Sequence, residues 1–227
     1  MNVLTDLIDN RKLLWKGSEQ KPTTEMTSSG YKEMDRQLQG GFPKHGVVEL
    51  LSETGIGELR LLTPYIRENS QSKLSVFINP PAYLCAEYLE QQKIDLNRVI
   101  MIHPKGDKEA LWAAEQSLKS GACGSVCLWH PSLEVHQARR LQVASETGNC
   151  LHFFFRTEQK IQVTLPISLS MTLKAIEQGL EVSVTKRKGG WLNSTFQIDM
   201  SKLWPSLTKP AENQPVFAFP ELKKGHA

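Results

Sequence analysis

The segment GVVELLSETGIGELRLL, residues 46–62, constrains this chain more than any other. A short apolar run, a loop with two glycines and a second apolar run of helical spacing predict a strand, a tight loop and a helix. That is the layout of a phosphate-binding loop, G-x-x-x-x-G-K-[ST]. In such a loop, backbone N–H groups and the helix N-terminus cradle phosphates, the lysine neutralises them and the hydroxyl holds magnesium. Laid on this chain, the template puts Ser52 at the first glycine, with Gly55 inside the loop and Gly57 at the second glycine. Glu58 then stands where the lysine belongs and Leu59 where the hydroxyl belongs. A carboxylate in the first helical turn satisfies the positive helix end by itself. It also repels a triphosphate, at a cost on the order of several kcal/mol for like charges in a partly buried site. The loop keeps the shape of a nucleotide site without its chemistry, so no cofactor is expected.

Around this loop, apolar strands alternate with amphipathic helices from Gly30 to about Arg156. The strands are GVVELL, LSVFIN, RVIMIH, SVCLW and LHFFF. The helices lie around Met34 and Leu38, then at ELRLLTPYIREN, AYLCAEYLEQQ, DKEALWAAEQSLKSG and LEVHQARRLQVASETG. Buried strands separated by helices predict an α/β fold with a mostly parallel sheet flanked by helices. Beyond Arg156 the period changes to two: Leu169, Met171 and Leu173, then Leu180, Val182 and Val184, with a turn at Glu177-Gln178-Gly179. This predicts an appended antiparallel hairpin, with TFQIDM as a further strand. The predicted organisation is an amphipathic helix over 1–16, a polar linker over 17–29, the domain over 30–203 and a proline-rich tail over 204–227.

Composition narrows the functional classes. With 27 Lys plus Arg against 24 Asp plus Glu, the net charge of +3 does not announce a nucleic-acid binder. Four cysteines in 227 residues do not make a disulfide scaffold, and their spacing with histidine forms no metal set. The opening MNVLTDLIDNRK carries acids where a signal peptide needs bases, and no apolar run approaches a bilayer span. A cytoplasmic protein without membrane contact is expected.

From Gly30 to Met200 the chain resembles the RecA family, through TSSGYKEMDRQLQGGFPKHGVVELLSETGIGELRLL, FINPPAYLCAEYLEQQKIDLNRVIMIHP, KSGACGSVCLW and VTKRKGGWLNSTFQIDM. The resemblance implies a RecA-like P-loop-type core. Carried over by position, the phosphate lysine falls on Glu58 and the magnesium hydroxyl on Leu59. The water-activating acid falls on Pro81 and the metal-orienting aspartate on Trp129. Four positions with different duties hold residues unable to perform them, which implies a pseudo-ATPase and not an enzyme. The intervals that hold the DNA loops in RecA are short here. Among inactive relatives the chain resembles the ImuA family most, through LLWKG, GIGELRLL, ALWAAEQSLKSGACGSVCLW and VFAFP. That resemblance implies an adaptor of SOS-induced translesion DNA synthesis. Its partners would be an ImuB-like inactive Y-family polymerase relative and an error-prone polymerase subunit, with RecA a further candidate. The related SulA branch shares the central block but lacks the long entry before the loop and the closing hairpin, both of which this chain has; it implies an SOS inhibitor of cell division that binds the tubulin-like division protein. A residual ATP-binding DNA-repair protein is a second alternative.

Three surfaces are candidates for partners. Leu4, Leu7, Ile8, Leu14 and Trp15 form an apolar stripe that rests on the domain or on another protein. Lys186, Arg187 and Lys188 with Trp191 form a basic turn, either a weak DNA contact or a solvated hairpin end. Gln214, Val216, Phe217 and Phe219 place apolar anchors in the tail, to fill a partner groove or fold back on the domain. Arg139 and Arg140 read as helix surface first, and as DNA or partner contacts second.

Overall fold

The computed structural model describes residues 25–157, 165–188 and 194–204. The apolar stripe at Leu4, Leu7, Ile8, Leu14 and Trp15, the tail anchors Gln214, Val216, Phe217 and Phe219, and Trp191 lie outside the described residues.

The run GVVELL forms strand β3 (Gly46–Leu51), buried at every residue. It sits deep inside an eight-stranded sheet of order β10-β9-β8-β3-β7-β6-β4-β5. Its companions are β4 (Leu74–Ile78), β5 (Val99–Ile102), β6 (Cys123–Trp129), β7 (Leu151–Arg156), β8 (Leu169–Ile176), β9 (Gly179–Arg187) and β10 (Ser194–Asp199). Strands β3 to β8 pair in parallel, and β9 and β10 close one edge in antiparallel register. The mixed α/β sheet with an antiparallel hairpin is thus the predicted one. The strands read as unbroken apolar runs because both faces are covered. On one face lie α1 (Lys32–Gln37), α2 (Glu58–Asn69) and α3 (Ala86–Gln91). On the other lie α4 (Asp107–Lys119) and α5 (Val135–Gly148). Helix α5 is tied to the start of β3 by polar side chains: Gln142 Oε1 accepts from Val47 N–H at 3.0 Å and Ser145 Oγ from Gly46 N–H at 2.5 Å.

Helix α2 contains a proline at Pro64. Proline cannot donate to the carbonyl four residues earlier, at Arg60. Tyr31 Oη donates to that carbonyl instead, at 3.1 Å, so a side chain replaces the missing backbone bond. Helices α4 and α5 approach closely where Gly148 meets the Leu118 carbonyl; a Cβ at 148 would lie 1.8 Å from that oxygen.

Several expected boundaries move. The expected linker gives up its last residues to the domain: Met26–Thr27 (β1) pairs with Phe42–Pro43 (β2), and Ser29 is buried. Asp35 holds this segment, accepting from Ser28 Oγ, Ser29 N–H and Ser29 Oγ at 2.6–2.7 Å. Trp204, expected to open the tail, is instead buried in the core, stacked on Tyr88 with Arg60 over its ring. Its indole offers too much apolar area to leave in water, whatever the prolines beyond it suggest. The helix expected over 82–92 begins only at Ala86, because Leu84 packs on the core from an extended segment behind Pro80-Pro81. Strand β5 is half-exposed, since it ends the sheet. Among the described residues, no helix is long and apolar enough to cross a membrane.

Candidate functional site: a glycine loop filled by its own carboxylate

The loop from Ser52 to Gly57 lies at the C-terminal end of β3, the edge where ligands bind in open α/β sheets. Ser52 N–H donates to the Arg156 carbonyl at 3.1 Å, fixing the loop to β7. Gly57 takes a left-handed conformation (φ 108°) as the residue capping α2, a region that only glycine enters at little cost. Glu58, the first residue of α2, turns back into the loop. Its Oε1 accepts from Gly55 N–H at 3.0 Å and its Oε2 from Gly57 N–H at 3.1 Å. Glu58 as a whole is 7 % exposed. Two amides of the kind that would meet a phosphate are thus satisfied from within, by a group of the phosphate's own sign. Leu59 and Ile56 pack against the apolar core, so the Leu59 position offers a cation no hydroxyl.

The neighbouring strand ends are equally apolar. Trp129, at the end of β6, stacks on Phe155 with centroids 4.3 Å apart and planes 4° from parallel; Phe77 lies 6.5 Å away on β4. Asn79 Nδ2 donates to the Trp129 carbonyl at 3.4 Å, and Pro81 stands exposed beyond it. The structure therefore brings Glu58, Leu59 and Trp129 onto one edge of the sheet and fills that edge with a carboxylate plug and an aromatic stack.

Sequence reasoning missed an ion pair beside this loop. Glu49 on β3 and Arg156 on β7 place Oε1 and Nε 3.2 Å apart, with both side chains more than nine-tenths buried. Ser170 Oγ donates to Glu49 Oε2 at 2.6 Å, and Thr185 Oγ1 donates to Ser170 Oγ at 3.0 Å. The only sequence signal was a lone charge in each of two apolar strands, GVVELL and LHFFFR. Such pairs hold register and are strongly destabilising to break from one side.

The basic turn is engaged with the domain itself. Lys186 Nζ donates to the Leu165 carbonyl, Arg187 Nη1 to Gln39 Oε1 at 3.2 Å, and Lys188 Nζ reaches Glu146 Oε1 at 3.4 Å. Burial also lowers the Arg187 pKa. Among the described residues no cluster of three or more His, Cys, Asp or Glu is placed to hold a metal. Cys123, Cys127 and Cys150 are buried free thiols, and burial raises the pKa of each.

A family model described as "Cell division inhibitor SulA" matches residues 49–152, from within β3 to the start of β7. Three similar proteins are cell division inhibitors SulA. That of Photorhabdus laumondii is 27 % identical over 100 residues, 44 % of this chain and 56 % of its own length. That of Cronobacter sakazakii is 23 % identical over 159 residues, 66 % of this chain and 93 % of its own. That of Yersinia pestis is 28 % identical over 98 residues, 43 % of this chain and 58 % of its own. The chain thus spans little more than half the length of the first and third. Among solved structures, the crystal structure of SulA from Pseudomonas aeruginosa is 27 % identical, covers 49 % of this chain and 98 % of its own, and has a TM-score of 0.41. The family model and these three proteins, all cell division inhibitors, overturn the expected ImuA-type adaptor of translesion synthesis. The polymerase partners belonged to that reading alone. The long entry before β3 and the closing hairpin after β7, which set ImuA apart from SulA, lie outside the family match, whereas GIGELRLL and ALWAAEQSLKSGACGSVCLW lie within it. Over its central residues 49–152, this chain is related to the cell division inhibitor SulA.

Proposed function

We propose that this chain is a SulA-type inhibitor of cell division, made in the SOS response, that acts in the cytoplasm by binding the tubulin-like division protein and catalyses no reaction. The observation that carries this reading is the position of the family match. It runs from β3 to β7 and so takes in the glycine loop and helices α2 to α5. The Glu58 plug supports the non-catalytic part, because the loop amides of Gly55 and Gly57 already have an acceptor. The same proposal takes the core as RecA-like in origin, its nucleotide loop given over to stabilising the turn into α2.

The direct test adds purified full-length chain to the tubulin-like division protein with GTP and magnesium, and follows polymer by pelleting. The reading expects polymer to fall in proportion to added chain, with saturation near one chain per division-protein subunit. Undiminished polymer at a tenfold excess of chain rejects it. Titration with magnesium–ATP tests the pseudo-ATPase part, and micromolar affinity would overturn it.

A further inference from the structure

Away from the loop, the outer surface of α4 and α5 forms a groove of about 670 Å³ that extends into a second hollow of about 260 Å³. Three apolar side chains stand in or beside it without cover: Trp112 on α4 at 63 % exposure, and Val143 and Val135 on α5 at 52 % and 41 %. An exposed tryptophan on a helix whose other face is well buried is unusual, because an indole has more apolar area than most surface residues. The charges around it are unequal: Lys108, Lys119, Arg139 and Arg140 against Glu115 and Glu134. Glu115 is already held between Lys119, at 2.5 Å, and Arg140. Glu134 caps α5 and faces His136 at 3.1 Å. Arg139 and Lys108 are left as exposed cations with no ion pair among the described residues.

We propose that this α4–α5 groove docks an acidic amphipathic helix of a partner protein, with Trp112, Val135 and Val143 receiving its apolar anchors and Arg139 and Lys108 receiving its acids. The spacing suits a helix. Val135 and Val143 are eight residues apart on α5, about 12 Å along its axis, which an incoming helix matches with apolar residues at i and i+7 or i+8. The apolar side chains and the two acids in the lining favour peptide over nucleic acid, whose phosphates want an all-cationic track. The docking needs nothing from the division-inhibitor reading, because it follows from the groove's own apolar and charged side chains.

The test uses the full chain and a labelled 21-residue helical peptide with leucines at i, i+4, i+7 and i+11 flanked by glutamates. A copy with lysines for the glutamates is the control, and binding is followed by fluorescence anisotropy. The acidic probe is expected to bind at least tenfold more tightly than the lysine probe. Arg139→Glu with Lys108→Glu is expected to remove that preference, and Val143→Asp to weaken binding at least fivefold. All three positions are exposed, and unchanged circular dichroism confirms that each variant folds. Equal binding of both probes, or affinity unchanged in the variants, overturns the proposal. So does a single-stranded oligonucleotide that binds and is lost with the same substitutions. Tighter binding after deletion of residues 205–227 would make the chain's own tail the occupant, and overturns it as well.

Discussion

At the scale of single residues, two side chains account for most of what is unusual about the centre of this protein. Glu58 converts an anion-binding loop into a self-capped turn, by two bonds from amides to a charged acceptor. Bonds of that kind contribute about 1.5–3 kcal/mol each when the acceptor is ionised. Glu58→Ala should therefore lower stability by about 3 kcal/mol, read as a shift in the urea midpoint, without creating affinity for magnesium–ATP, since Leu59 still lacks a hydroxyl. His152 is the second. It sits wholly buried on β7 with Nδ1 3.0 Å from the Val126 carbonyl, and burial pushes its pKa down to about 4. The folded protein holds this imidazole neutral, whereas the unfolded chain takes up a proton near pH 6.5. The stability it allows is complete above pH 6.5 and is lost as pH falls from 6.5 towards 4, by about 3 kcal/mol in all. Unfolding free energies at pH 7.5, 5.5 and 4.5 should fall along this course, and His152→Leu should flatten it.

At the scale of elements, the parallel strands and the helices between them were legible because their apolar periodicity carries the signal. The helix read from ELRLLTPYIREN matches α2, Glu58–Asn69, at both ends. What sequence hid were contacts made across long separations. Nothing near Pro64 shows that Tyr31, thirty-three positions earlier, satisfies the carbonyl that the proline leaves bare. Tyr31→Phe removes only that hydroxyl and should cost about 1 kcal/mol, measured by thermal or urea unfolding. Nor does the run of prolines after Trp204 show that this indole returns to Tyr88. Gly148 is a further case, for it reads as an ordinary helix stop and acts as the contact point of α4 and α5. Gly148→Ala drives a methyl against the Leu118 carbonyl and should destabilise by about 1–3 kcal/mol. The Glu58 plug was half legible: the acid at the helix start was plain, but its return to the amides of Gly55 and Gly57 needed the loop's geometry.

At the scale of the whole molecule, a sheet covered on both faces presents two separate working surfaces. One is the edge at the C-terminal ends of the parallel strands, where a nucleotide-site outline holds a carboxylate and a stack of Trp129 on Phe155. The other is the α4–α5 groove on the opposite face from α2. The SulA family model matches residues 49–152, and β8 to β10 close the sheet outside that match. The sequence points towards ImuA through its long entry and closing hairpin, because the central block is common to both branches and does not separate them. Division inhibition is read from cell length. The full chain is expressed from an inducible promoter in bacteria that lack their own division inhibitor, with its level followed by immunoblot. A division inhibitor gives long undivided filaments with segregated nucleoids and no rings of the tubulin-like protein. Cells of normal length with intact rings at high levels of the chain would contradict it.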